Sequence, residues 1–255
     1  MPRARGAGGW CRHAWIDRLL TNLNARVLPV SEALAEELAR RGVPRGKIAP
    51  LADAIDHERF RSARARRREA RAALGLPEDA RLVVNAGRLV PQKAQADFVA
   101  AAARLAAQDG RWRFAIAGDG PLRGALERQA ARQGLGGRLE FLSFRTDLPE
   151  LFAAADAFVQ TSRWEGLAMA LLEARAAGLG IVATDVGGTR EGLSGYPYGR
   201  CVAPGDIDAL ARAVPEVVDF GRLEPPPFPT RFTGPAVASA FLSLVRESIA
   251  AGEAW

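Results

Sequence analysis

From residue 45 onward the chain alternates short apolar runs with longer segments in which apolar positions recur every three or four residues. Runs of four to eight apolar residues between turn formers suit strands buried on both faces, and the spaced pattern suits amphipathic helices. Strands are predicted on this basis at 81–86 (R-L-V-V-N-A), 113–117 (R-F-A-I-A), 138–142 (R-L-E-F-L), 157–160 (A-F-V-Q) and 180–184. Helices are predicted at 65–75, 94–107, 121–134, 147–154, 167–177 and 206–219. Strand and helix take turns, so the fold class is α/β with a doubly wound parallel sheet. Gly87 and Gly118 follow the carboxyl ends of the first two strands, where such a sheet binds its ligands.

The two ends of the chain read differently. Residues 10–45 offer two helical stretches around a short strand at 27–30, with Ser31 as a helix cap. They are too few to form a domain and look like the last piece of a preceding Rossmann half. Pro225, Pro226, Pro227 and Pro229 make a stiff linker before an amphipathic helix at 235–250. The expected organisation is a remnant at 1–46, a sheet domain at 47–222, and a linker with a final helix at 223–255.

Composition bounds the rest. A chain of 255 residues with 48% apolar content can bury one good core, or one domain and part of another. It has no run of about 18 apolar residues, so no transmembrane helix is expected and membrane contact is at most peripheral. The N-terminus lacks the apolar stretch of a secretion signal, and Cys11 and Cys201 match no disulfide or metal-site spacing. A cytoplasmic protein, in a reducing compartment, is expected. The formal charge of +6 comes almost wholly from arginine, the lysines being Lys47 and Lys93. The densest run, Arg59 to Arg71, has acidic neighbours and, beyond Phe60, no interleaved aromatics for base stacking, so nucleic acid is not the expected partner. No G-x-G-x-x-G follows a strand, which excludes a dinucleotide-dependent dehydrogenase.

Chemistry concentrates at 161–188, T-S-R-W-E-G-L-A-M-A-L-L-E-A-R-A-A-G-L-G-I-V-A-T-D-V-G-G. Glu165 and Glu173 lie eight residues apart where a turn enters a helix. Gly166 and Leu167 are then near a helix N-terminus, where free N–H groups favour a phosphate. Eight helical residues would separate the two glutamate backbones by roughly 12 Å, wider than the carboxylate pair of a glycoside hydrolase. Glu173 stands among Ala170, Leu171, Leu172, Ala174, Ala176 and Ala177, where a carboxylate needs a partner. Upstream, Gly87-Arg88 at a strand end and Lys93 at the next helix start combine positive charge with backbone donors, as anion binding requires.

The E-x7-E element, the G-R-L-V-P-Q-K loop at 87–93, the I-A-G-D-G-P segment at 116–121 and the I-A-P-L-A-D-A-I-D-H-E-R-F stretch at 48–60 occur in a fixed order. Together they resemble the C-terminal, donor-binding domain of the retaining GT-B glycosyltransferases, the glycosyl transferases group 1 or GT family 4. The resemblance covers roughly residues 25–215. It departs from the family pattern at Asp53-Ala54, where Asn-Gly is common, at Ala94, where Gly is usual, and at Leu167-Ala168, where many members have Gly or Pro.

The resemblance implies transfer of a hexose from a nucleoside diphosphate sugar to a hydroxyl acceptor, with retained anomeric configuration and no metal. It assigns Arg88 and Lys93 to the donor diphosphate, Glu165 to the sugar, Glu173 to the ribose, and the loop near Phe144 and Arg145 to the base. Gly87, Gly166, Leu167 and Ala168 would line the same donor site. His13 and His57 carry no supporting pattern, and no general base is assigned. The alternative is a nucleotide-sugar-binding half, inactive alone, that works with a separate N-terminal polypeptide or a second copy or is a degenerate remnant.

Overall fold

The computed structural model describes residues 26–222 and 224–251. The first helical stretch expected within 10–45, with Cys11 and His13, lies outside them. Six parallel strands form one sheet: β1 (Arg81–Ala86), β2 (Trp112–Ala117), β3 (Leu139–Phe141), β4 (Ala157–Gln160), β5 (Gly180–Thr184) and β6 (Gly199–Val202). Their order across the sheet is β3-β2-β1-β4-β5-β6. The expected doubly wound α/β fold is therefore present, with the order reversing between β1 and β4.

Successive side chains of a strand point to opposite faces, and both faces are covered. Leu82, Val84, Phe158 and Ile181 join one core cluster, while Val83, Phe114, Val159 and Val182 join the other. Burial on both faces explains why the strands read as continuous apolar runs rather than alternating ones. The first face is covered by α2 (His57–Ala63), α3 (Arg67–Ala73), α6 (Leu148–Ala154) and α7 (Met169–Ala176), and the second by α4 (Gln95–Gln108), α5 (Arg123–Arg132) and α9 (Ile207–Val218). The short α8 (Thr189–Leu193) joins the first layer through Leu193, while α1 (Glu32–Arg40) and α10 (Gly234–Ala250) lie outside these layers.

Several boundaries differ from the sequence expectations. The strand at 27–30 is a single bridge, Val27 to Ile48. The helix expected at 65–75 is the shorter α3, and an additional short helix, α2, precedes it across a tight turn at Arg64–Arg66. Asp56 caps α2 by accepting the Arg59 N–H at 3.2 Å, and Phe60 drops into the core at 6% exposure. These two contacts account for the Asp-x-x-x-Phe pattern of that segment. Strand β6 was not foreseen, because Gly199, Arg200, Cys201 and Val202 are all half-buried at a sheet edge.

The arginine run is turned inward. Arg64 donates to the Ala177 carbonyl at 2.6 Å, and Arg67 to those of Ala153 and Ala155. Arg67 and Arg71 also pair with Asp156, at 2.6 and 3.3 Å, and Asp156 accepts the Leu82 N–H at 2.8 Å. Asp156 is fully buried. Cations at helix C-termini meet the negative end of the dipole, so Arg64 and Arg67 close α7 and α6 at the amino edge of the sheet. None of the described helices is long and apolar enough to cross a membrane.

At the reversal point the β1–β4 ladder stops at Val84 and Phe158, although β1 continues beside β2 to Ala86. Asn85 replaces the missing rung with its side chain, donating from Nδ2 to the Val159 carbonyl at 2.8 Å. The chain beyond both strands is thereby freed to form two loops that face each other.

Candidate active site

The loop after β1 is pinned by its neighbours. Gly87 donates its N–H to the Ala117 carbonyl at 2.9 Å, Leu89 to Asp119 at 2.9 Å, and Gly118 to Ser143 at 2.7 Å. Gly118 has φ 144°, and a Cβ there would lie 2.0 Å from the Gly87 carbonyl oxygen, so the approach of the two loops requires glycine. The chain then makes a tight turn at Pro91–Lys93 and enters α4 through Ala94, which adopts φ 47° and ψ 41°.

The loop after β4 is stitched to this one. Thr161 donates from Oγ1 to the Lys93 carbonyl at 2.9 Å. Arg163 donates its N–H to the Gln92 carbonyl at 2.8 Å, and Gln92 Nε2 returns a bond to the Trp164 carbonyl at 3.0 Å. The Arg163 guanidinium pairs with Asp97 at 2.7 Å. At the centre, Lys93 Nζ meets Glu165 Oε1 at 2.5 Å, and the Ser162 hydroxyl donates to the same oxygen at 2.5 Å. Thr184 holds Ser162 in turn, through a 2.7 Å bond to its carbonyl.

The Lys93 and Glu165 side chains are 22% and 7% exposed. A largely desolvated pair is costly unless its geometry is good and its remaining lone pairs are met, and Ser162 supplies that third contact. The structure thus brings Lys93 and Glu165 together across the switch point. Arg88 lies on the same loop with its guanidinium exposed and without a hydrogen bond or ion pair among the described residues. Its carbonyl is held by Gln95 Nε2 at 2.9 Å.

Helix α7 starts at Met169, two residues later than expected. Leu167 and Ala168 are buried, at 6% exposure each, and Ala168 is extended with ψ 113°. Core packing of these two side chains overrides their helix propensity. Only the span from Met169 to Glu173 has helical rise, so the 12 Å separation, which assumed eight helical residues, does not apply. No side chain caps the first turn of α7. Gly166 is anchored by its carbonyl, which accepts the Gly188 N–H at 2.7 Å.

Glu173 is half-buried, and among the described residues its carboxylate makes no hydrogen bond or ion pair. Burial pushes its carboxyl above the ordinary carboxylate range, and the positive charge of Arg59 offsets this in part. Arg59 reaches from α2 to the loop after β3, donating to the Thr146 carbonyl at 3.1 Å. In that loop Phe144 is 78% exposed, while Arg145 is engaged by Asp147 at 2.5 and 2.8 Å. The pair raises the Arg145 guanidinium and lowers the Asp147 carboxyl, chiefly through their hydrogen bonds.

A group whose folded-state carboxyl is raised binds its proton more tightly folded than unfolded. Its penalty is absent below the ordinary carboxylate value and grows as pH rises through and above it. Glu173→Gln should therefore raise the thermal unfolding midpoint at about pH 7.5 and leave it unchanged at about pH 3.5. Melts of both proteins at the two pH values check this, and equal midpoints at about pH 7.5 would contradict it.

Ser162, Thr161, Gln92 and Arg59 had no assigned role from sequence. Ser162 and Thr161 sit directly after a strand that ends at the ligand edge, which is a usable signal. Arg59 was hidden inside an arginine run. Among the described residues no His, Cys, Asp and Glu side chains are grouped as a metal site requires.

The model of the family described as glycosyl transferases group 1 matches residues 66–223, which include Lys93, Glu165 and Glu173. The chain belongs to this family. It is 30% identical over 208 residues to the 2-deoxystreptamine glucosyltransferase of Streptomyces kanamyceticus, covering 80% of this chain and 54% of that protein. It is 34% identical over 158 residues to the lipopolysaccharide core biosynthesis mannosyltransferase LpsB of Rhizobium meliloti, covering 59% and 45%. The chain spans about half the length of the curated relatives it matches.

Two solved structures show the fold. HepE of Anabaena in complex with UDP-glucose superposes with a TM-score of 0.78 at 22% identity, over 94% of this chain and 68% of that one. Sucrose-phosphate synthase of Thermosynechococcus elongatus gives 0.79 at 23%, over 96% and 65%. The sheet is thus the Rossmann-like unit of a GT-B glycosyltransferase.

Proposed function

We propose that this chain carries the donor site of a retaining glycosyltransferase that moves a hexose from a nucleoside diphosphate sugar to a hydroxyl acceptor. The observation that carries this reading is the Lys93–Glu165 pair, buried at the switch point of a group 1 glycosyltransferase sheet. Lys93 and the exposed Arg88 take the charge of the departing diphosphate, the role a divalent ion plays in other enzymes, so no metal is needed. Glu165 orients the sugar from its seat between Lys93 and Ser162, and the unpaired Glu173 accepts hydrogen bonds from the ribose. The uncapped start of α7 offers backbone N–H groups to a phosphate.

Calorimetry with UDP, GDP and ADP, in buffer with and without a chelator, tests the reading. Binding of at least one, undiminished by chelator, is expected. No binding of any, or strict dependence on magnesium, would overturn it. Because the chain spans about half of its relatives' length, a second reading keeps donor binding but places acceptor recognition on another polypeptide or a second copy. Transfer by the isolated chain supports the first reading, and transfer only after adding a partner supports the second.

A further inference from the structure

The first turn of α1 exposes backbone N–H groups that have no partner inside the helix. Ser31 Oγ accepts that of Leu34 at 3.2 Å. That of Ala33 goes to Oε1 of Glu191, 158 residues further along the chain, at 3.0 Å. A carboxylate is the favoured occupant of a helix N-terminus, yet Glu32 already stands in this turn and is not the acceptor used. That acceptor is instead a side chain distant in sequence but adjacent in space.

Glu191 has a rigid mount. It lies on α8, whose Gly192 carbonyl accepts the buried Arg175 guanidinium at 2.6 Å. The Glu191 carbonyl itself accepts Arg231 at 2.7 Å. Helix α8 follows directly on Gly187-Gly188, and these two glycines floor the loop that carries Glu165. A Cβ on Gly187 would lie 1.9 Å from the Glu165 carbonyl oxygen. A Cβ on Gly188 would meet the Ser31 Cβ at 2.8 Å, and one on Gly166 would meet Val30 Cγ2 at 2.7 Å. Residues 30–31, 165–166 and 187–188 therefore touch without room for a methyl group.

A cavity of about 320 Å³ adjoins this junction, bounded in part by Ser31, Leu51, Glu191, Phe232 and Val237. The start of α1 thus has space to move if its cap is removed. The contact with Gly166 would move with it.

We propose that Glu191 is a positioning residue for the donor site: its bond to Ala33 clamps α1 onto Gly166 and Gly188 and so fixes the loop that presents Glu165. This role rests on the donor-site assignment above. It also makes the seat of α1 and the grip on the sugar reciprocally coupled, since whatever shifts one shifts the other by the same free energy.

The test uses the full chain with Glu191→Ala and Glu191→Gln, the second retaining an oxygen that accepts the Ala33 N–H. Affinities for UDP and UDP-glucose, and for GDP and GDP-mannose, give the extra affinity due to the sugar. Glu191→Ala should reduce that ratio by about fivefold or more while the bare diphosphate binds within about twofold of wild type. Glu191→Gln should restore the ratio. Equal losses for diphosphate and conjugate would show a merely structural role and overturn the proposal, as would no change.

Amide exchange followed by NMR is read on the same proteins without ligand. Exchange at Ala33 and Gly188 should accelerate in Glu191→Ala while α4 is unaffected, and unchanged exchange at both would overturn the clamp. If wild type binds none of the nucleotides, the donor-site assignment falls, and exchange alone then decides whether the clamp exists.

Discussion

Lys93→Met is expected to weaken nucleoside diphosphate binding about 10- to 150-fold, the equivalent of losing one charged hydrogen bond worth roughly 1.5 to 3 kcal/mol. Methionine keeps the apolar stem of the lysine, which runs close enough to Gly87 that an added Cβ there would lie 3.6 Å from it, so the lost ammonium is isolated. The same substitution strands Glu165 at 7% exposure with only Ser162 as a partner. Breaking a buried pair from one side costs more than removing both charges, so Lys93→Met should also lower stability by about 3 to 5 kcal/mol. Lys93→Met with Glu165→Gln should recover much of that stability but none of the diphosphate affinity. Calorimetry and denaturant unfolding of the two single variants and the double variant check both parts. Full nucleotide affinity in Lys93→Met would remove Lys93 from the site.

The fold was legible wherever burial is complete on both faces. Strands 81–86, 157–160 and 180–184 are apolar runs because core lies above and below them, and their observed limits match those expected. Strand β6 escaped notice because an edge strand with Gly199, Arg200 and Cys201 half-exposed carries no such signature. The start of α7 was misplaced for a different reason. Leu167 and Ala168 are good helix formers locally, and only the core beneath Gly166 and Gly188 decides that they stay outside the helix.

The candidate site was legible as residue types and not as partnerships. Lys93 and Glu165 could each be singled out, but 72 residues separate them, and nothing in either neighbourhood states that they meet. Ala94 was visible only as a departure from the glycine usual in the family. Its left-handed backbone gives the physical reason for that glycine. Arg59 shows the converse difficulty. Within a run of seven arginines between 59 and 71, it is the contact with Thr146 and the charge felt by Glu173 that distinguish it.

Asp156→Ala should be the most destabilising single change away from the site. Its carboxylate is fully buried and holds Arg67, Arg71 and the Leu82 N–H, so its removal leaves two cations and a strand donor without their anion at the amino edge of β1 and β4. Uncompensated buried charge of this kind costs about 3 to 5 kcal/mol, a large part of the roughly 5 to 15 kcal/mol that holds a domain together. At about 2 to 4 °C per kcal/mol for a chain of this size, the unfolding midpoint should fall by roughly 6 to 20 °C. Asp156→Asn keeps an oxygen for Leu82 and loses only the charge, so its midpoint should lie between the two. The ligand edge is at the opposite, carboxyl end of the same strands, and nucleotide affinity measured well below the midpoint should stay at the wild-type value. Calorimetric melts paired with UDP titration separate the two ends. A midpoint within about 2 °C of wild type would show that the arginines find other partners, and a loss of affinity in the still-folded protein would show that the two ends of the sheet are not independent.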